Sequence, residues 1–195
     1  MELPAGFYAT IGLGATSPLN SSLQGSTPAG TALSLNLDTS PGITPELGVG
    51  YDFGGGRVEV TGLYNRARIT TATLQSALAE QQELATDGKA MQTLSAMLSG
   101  YIDIPVNRRL ELYVGGGIGI RQSQLPGFQI ETPLGLVPIQ GREQTMLGYQ
   151  FKSGLTVKLR PKRDLFVEGF YAGSQHPEQG ASGVFGVRGG SRWWF

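Results

Sequence analysis

At 195 residues, with 30 glycines, 11 prolines and only 15% charged residues, the chain fits one folded domain over 1–195 and excludes a charged disordered tail. A formal net charge of +0 offers no electrostatic footprint for nucleic acid, and the absence of cysteine removes disulfides and thiolate metal sites. No apolar run reaches the roughly 18 residues of a transmembrane helix, and Met1 is followed almost directly by a strand pattern, which reads as either a mature form with an added initiator, the favoured reading, or a cytosolic protein.

The first strand pattern runs from Gly6 to Ala15, with Phe7, Ala9, Ile11, Leu13 and Ala15 on one face and small or polar residues on the other. A tract rich in Ser, Thr, Pro and Gly follows over 16–42 and reads as a long loop, within which Leu33, Leu35 and Leu37 alternate as a strand-like extension. Strand two, Ile43 to Phe53, sets Leu47 and Val49 against Glu46, and Gly54, Gly55 and Gly56 supply the positive φ of a tight hairpin. Strand three returns with Val58 and Val60 opposed to Arg57 and Glu59. The period then changes. Thr71 to Ala85 is rich in Ala, Leu, Gln and Glu, places Leu74 and Leu78 one turn apart, and has Thr71 or Thr73 and Gly88 as candidate caps; it predicts a short helix within an ordered loop.

Strand four, Leu94 to Ile104, carries Asp103 on its polar face and is closed by Pro105 to Arg109. Strand five puts Leu112, Val114 and Ile118 outward and Glu111, Gly115, Gly117, Gly119 and Arg121 inward, so its inner face is largely glycine and leaves room for long side chains from neighbouring strands. A third long loop, Gln122 to Gln144, contains the apolar stretch Phe128 to Ile139, another strand-like extension. The two extensions are expected to pair into a rigid sheet that buries one apolar face between them, with the Thr71 to Ala85 segment packed beside it. Strand six opposes Leu155 and Val157 to Lys152 and Lys158, with Ser153 alone breaking the apolar face. After the turn from Arg160 to Arg163, which reads as solvated and near lipid headgroups, strand seven carries aromatics on both faces, and only Glu168 argues which face is inside. A polar loop from Ser174 to Ala181 leads to the last strand, where Phe185, Val187, Gly189, Ser191, Trp193 and Phe195 share one face and Arg188 and Arg192 the other.

Eight strands of about 9 to 11 residues, joined alternately by long loops and tight Gly, Pro or Arg turns, predict an all-β, eight-stranded antiparallel up-and-down transmembrane β-barrel with long extracellular loops and both chain ends on the short-turn side. The segments Ser99 to Pro105 (SGYIDIP), Leu112 to Ile120 (LYVGGGIGI) and Gly148 to Leu159 (GYQFKSGLTVKL), with Asp164 to Phe166, resemble the opacity-type family of eight-stranded outer-membrane barrels, whose architecture OmpA-like barrels share. The resemblance spans nearly the whole chain. It implies residence in the bacterial outer membrane, contact with membrane lipids, and recognition of an aromatic terminus, here Trp193 and Phe195, by the barrel-assembly machinery. Gly189 and Ser191 depart from the apolar residues usual in the last strand of such families.

The inward parity collects Glu46, Arg57, Glu59, Asp103, Glu111, Arg121, Lys152, Lys158, Glu168, Arg188 and Arg192, charges of both signs. In a narrow barrel filled by its own side chains these predict an ion-paired plug, with a conducting pore as the functional alternative. Leu47, Val49, Val114, Ile118, Leu155 and Val157 are the expected lipid-facing set. His176 lies near Ser174 and Glu178, but three residues on one loop do not make a hydrolytic triad, and Gly115 to Gly119 is no phosphate loop because no helix start follows it. The expectation is a non-enzymatic protein without cofactor, metal site or nucleic-acid partner, structural or adhesive through three long loops that contact an extracellular or envelope ligand. The alternatives are a small channel and a soluble lipocalin-type barrel, the latter requiring an apolar interior.

Overall fold

The computed structural model describes residues 5–18, 21–26, 32–76, 79–85, 90–125, 127–132, 135–139, 141–160, 162–176 and 180–195, and the side chains of 5–17, 40–68, 90–124, 127, 141, 143–159, 162–174 and 183–195. Within them the backbone forms thirteen strands: β1 (Gly6–Pro18), β2 (Ser21–Ser26), β3 (Ala32–Thr39), β4 (Gly42–Asp52), β5 (Gly56–Ser76), β6 (Ala79–Ala85), β7 (Ala90–Pro105), β8 (Leu110–Leu125), β9 (Phe128–Thr132), β10 (Gly135–Ile139), β11 (Arg142–Arg160), β12 (Arg163–His176) and β13 (Gly180–Trp194). Eight of them close a ring, β1-β13-β12-β11-β8-β7-β5-β4 and back to β1, and every pair is antiparallel. Closure leaves the barrel no unpaired edge, so its backbone groups are satisfied without water.

The period of two carried by these sequences becomes an inside and an outside. Along β7 burial alternates without a break from Thr93 to Asp103. The register of β12 is settled by burial too: Phe166, Glu168, Phe170 and Ala172 face the lumen while Leu165 and Val167 face out.

The tight turns are chemically specified. Between β4 and β5, Gly54 and Gly55 take φ of 87° and 126°, a region closed to most side chains, and the Gly54 N–H donates to Asp52 Oδ1 at 2.6 Å. Between β7 and β8, Asn107 Oδ1 accepts from the N–H groups of Arg109 and Leu110 at 2.9 Å each, after Pro105 has ended the strand.

Three expectations are corrected above the barrel. The segment from Thr71 to Ala85 is no helix: β5 runs on to Ser76 and β6 pairs back onto it. The Ala- and Glu-rich composition favours helix only weakly, and β5 already has partners on both sides there, since β3 pairs the edge opposite β6. The connection from Ser174 to Ala181 is not a loop throughout, because β12 continues to His176 and β13 starts at Gly180. Finally, among the described residues the two apolar extensions do not pair with each other. The segment holding Leu33, Leu35 and Leu37 is β3, paired with β2 and β5, whereas Phe128 to Ile139 folds on itself as the β9–β10 hairpin. The side chains of both extensions, of His176 and of Glu178 lie outside the described residues.

Candidate functional site: the lumen and the outer wall

The lumen is polar and closely packed. Glu46, Arg57, Glu59, Asp103, Glu111, Arg121, Lys152, Glu168, Arg188 and Arg192 are all buried, and Lys158 is half-buried. Four of them form a compact quartet of alternating sign at mid-barrel. Lys152 Nζ lies 2.9 Å from both carboxylate oxygens of Glu46 and 3.7 Å from Glu168 Oε1; Arg188 pairs with the same Glu46 and lies 3.6 Å from Glu168. The two acids come from β4 and β12, the two cations from β11 and β13. Gly12 of β1 makes this meeting possible, because a Cβ there would stand 3.1 Å from Cγ of Arg188 as that side chain crosses β1 toward Glu46.

Around the quartet, tyrosine hydroxyls donate to Glu59 and to the quartet's own Glu168. Tyr8 donates to Glu59 Oε2 at 3.0 Å and Tyr101 to Glu59 Oε1 at 3.4 Å, while Tyr113 donates to Glu168 Oε2 at 2.7 Å. The Arg57 guanidinium lies 4.4 Å from the ring centres of both Tyr101 and Tyr113 and pairs with Asp103. Arg192 donates to Thr156 at 2.9 Å over the rings of Tyr113 and Phe166, and Lys158 pairs with Glu111 at 2.7 Å. Arg121 donates to the Ala172 carbonyl at 3.1 Å instead of to an acid. The glycine face of β8 accommodates these long side chains: the Tyr101 ring occupies the space a side chain at Gly115 would need.

Reading by parity left several participants out of the charged set. Asp52 and Asp164 are also buried acids, the latter accepting from the Trp194 indole N–H at 2.9 Å, and Tyr8, Tyr101 and Tyr113 are hydrogen-bonding members of the network. All five stand on the inward parity, so the signal was present; counting charges alone passed over the tyrosines. Among the described residues no cluster of His, Asp or Glu could hold a metal ion.

The outer wall has the opposite character. Leu47, Val49, Val114 and Ile118 are exposed, and Leu155 and Val157 are half-buried because bulky neighbours flank them on both adjoining strands, Leu112 and Val167 beside Leu155, Leu110 and Leu165 beside Val157. Aromatic groups border this apolar belt. Phe7, Tyr51 and Phe53 make edge contacts with ring centres 4.8 and 4.9 Å apart near the tight turns, and Tyr149, Tyr171 and Phe185 form a second chain of contacts toward the long connections. Phe185 and Trp193, on one face of β13, are separated by about 26 Å of strand. Trp193 is half-buried, and the exposed Phe195 donates its N–H to the Phe7 carbonyl at 3.1 Å. In water such a wall would be an unusually large apolar patch; in hydrocarbon it is the surface a spanning barrel requires.

A closed ring of eight antiparallel strands, apolar outside and charged inside, is the architecture of the small outer-membrane β-barrels of OmpA-like and opacity type. No family model matches the sequence, and no curated protein matches it. Solved structures do share the fold. Neisserial surface protein A superposes with a TM-score of 0.62 at 15% identity, over 97% of both chains. OprG of Pseudomonas aeruginosa gives 0.54 at 14% identity, over 100% of this chain and 98% of that one, and Ail, the attachment invasion locus protein of Yersinia pestis, solved with the heparin analogue sucrose octasulfate, gives 0.51 at 13% identity, over 96% and 99%.

Proposed function

We propose that this chain is an integral protein of the bacterial outer membrane with a structural or adhesive, non-enzymatic role, and that its lumen is a plug and not a pore. The observation that carries the reading is the inversion of polarity: buried Glu46, Lys152, Glu168 and Arg188 inside, exposed Leu47, Val114 and Ile118 outside. A lipocalin-type barrel in water needs the reverse arrangement. Most of the lumen's charged groups pair with one another, Arg57 with Asp103, Lys158 with Glu111, and Lys152 and Arg188 with Glu46 and Glu168, which supports a structural network in preference to groups held ready for a substrate or ion.

Any specific contact then belongs to the far rim, where β2, β3, the upper half of β5 and β6 form a sheet beyond the barrel and β9–β10 stands as a separate hairpin. This supports an ordered contact surface for an extracellular or envelope ligand. The long connections and the strand ends beside them carry Asp38, Glu80, Glu83, Asp87, Glu131, Glu143 and Glu178 against Arg66, Arg68, Lys89 and Arg142, a surplus of acid that disfavours a sulfated polyanion of the kind bound to Ail. Envelope fractionation tests the placement: the native chain is expected to sediment with outer membranes and to need detergent for extraction, and its recovery as a folded soluble protein would end the proposal. Planar-bilayer recording tests the plug: no stable conductance steps are expected from the folded monomer, and well-resolved channels would replace this reading with the channel.

A further inference from the structure

Ser191 stands on the outward parity of β13 yet is 6% exposed, because the Arg163 side chain lies over it. The Arg163 Nε donates to Ser191 Oγ at 3.4 Å, the Ser191 hydroxyl donates to the Asp164 carbonyl at 3.0 Å, and the Arg163 guanidinium sits 5.7 Å from the ring centre of Trp193, its direct cross-strand neighbour. An arginine is thus held against the outside of the wall, at the boundary where the exposed apolar residues Leu165 and Ile11, the neighbours of Ser191 on either side, give way to the tight turns.

Further cations surround it. Lys162 precedes it in the turn, and exposed Arg108 and Arg109 lie on the adjoining β7–β8 turn, tied to β11 by the Lys158 N–H donating to the Arg109 carbonyl at 2.8 Å. The acids of this end, Asp52, Asp103, Glu111 and Asp164, are all buried and engaged with Gly54, Arg57, Lys158 and Trp194. Among the described residues the rim presents no exposed acidic side chain. The cations Arg163, Lys162, Arg108 and Arg109 outnumber the single α-carboxylate of the exposed Phe195, which favours an anionic occupant. It must also come from the side of the barrel and not from beneath it, since Arg163 lies along the wall.

We propose that Arg163, seated on Trp193 and Ser191 with Lys162 beside it, binds the phosphate of an anionic phospholipid headgroup in the leaflet that meets the tight turns. The planar guanidinium can take two phosphate oxygens at once, the indole provides the apolar floor for the glycerol region, and Lys162, Arg108 and Arg109 disfavour the ammonium of a zwitterionic headgroup. Ser191 thereby acquires a role: an apolar residue in its place would leave the arginine without its hydrogen bond to the wall. The inference rests on the membrane reading above.

The chain contains two tryptophans, Trp193 and Trp194, both at this rim, so its own fluorescence reports the site. The folded protein is reconstituted in phosphatidylcholine bilayers containing a minor fraction of brominated phosphatidylglycerol or, in parallel, brominated phosphatidylcholine. Brominated phosphatidylglycerol is expected to quench selectively. Arg163→Gln, checked for folding by its heat-modifiable migration, is expected to lower the relative association by on the order of fivefold; Arg163→Lys retains part of it, and Trp193→Phe removes the selective component. Lys162→Gln, which leaves the wall contact intact, lowers it less than Arg163→Gln. Equal quenching by the two lipids in the parent chain, or undiminished selectivity in Arg163→Gln, overturns the site while leaving the membrane placement standing. Absence of quenching by both lipids overturns the placement and the site together.

Discussion

Lys152 is enclosed on all sides, with 1% of its side chain exposed, between two acids that Arg188 also contacts. Removing one member of such a group leaves the others desolvated and unbalanced, which costs about 3 to 5 kcal/mol, whereas removing an opposite pair costs far less than the two single changes together. Lys152→Met is therefore expected to destabilise the barrel by that amount, and Glu46→Gln with Lys152→Met to recover a large part of the loss, as read from urea-induced unfolding in lipid vesicles. Additive losses would mean that the quartet is not coupled. The inward placement of these four residues follows from parity alone. Their meeting does not: Lys152 and Glu46 are 106 residues apart, and their approach depends on ring closure and on the open space at Gly12. Ser191 shows the converse limit, since its parity was plain but the arginine that covers it comes from the neighbouring strand.

At the scale of single elements, the barrel strands were legible because their alternation continues for many residues and their turns carry Gly54, Gly55 and Asn107 at the positions that need them. The upper half of β5 was not. Its Ala, Leu and Gln content suggests a helix, but the chain there continues a strand already in register with β4 and β7, and the pairing of β3 and β6 on its two edges satisfies the backbone as a helix would have done locally. A difference in protection follows. Amides of β3 and of 71–76 in β5 are expected to exchange slowly in detergent, at rates approaching those of β7 and β8. Those of the β9–β10 hairpin, which pairs only with itself among the described residues, are expected to exchange faster, because a lone two-stranded hairpin is marginal in water. Fast exchange throughout β3 and 71–76 would contradict an ordered sheet beyond the barrel.

For the whole molecule, the account rests on one inversion, with charges sealed inside and apolar side chains turned out to hydrocarbon. The absence of cysteine from the native chain makes it directly measurable, because each engineered cysteine carries the only spin label. Labels at Leu47, Val114 and Val187, all exposed on the wall, and at Thr61 and Ser99, buried in the lumen, would be read for collision with oxygen and with a water-soluble nickel chelate after reconstitution in bilayers. The account predicts high oxygen and low nickel accessibility at the three wall positions, and little access by either reagent at the two lumen positions. Nickel reaching the wall labels while oxygen shows no preference for them would contradict it.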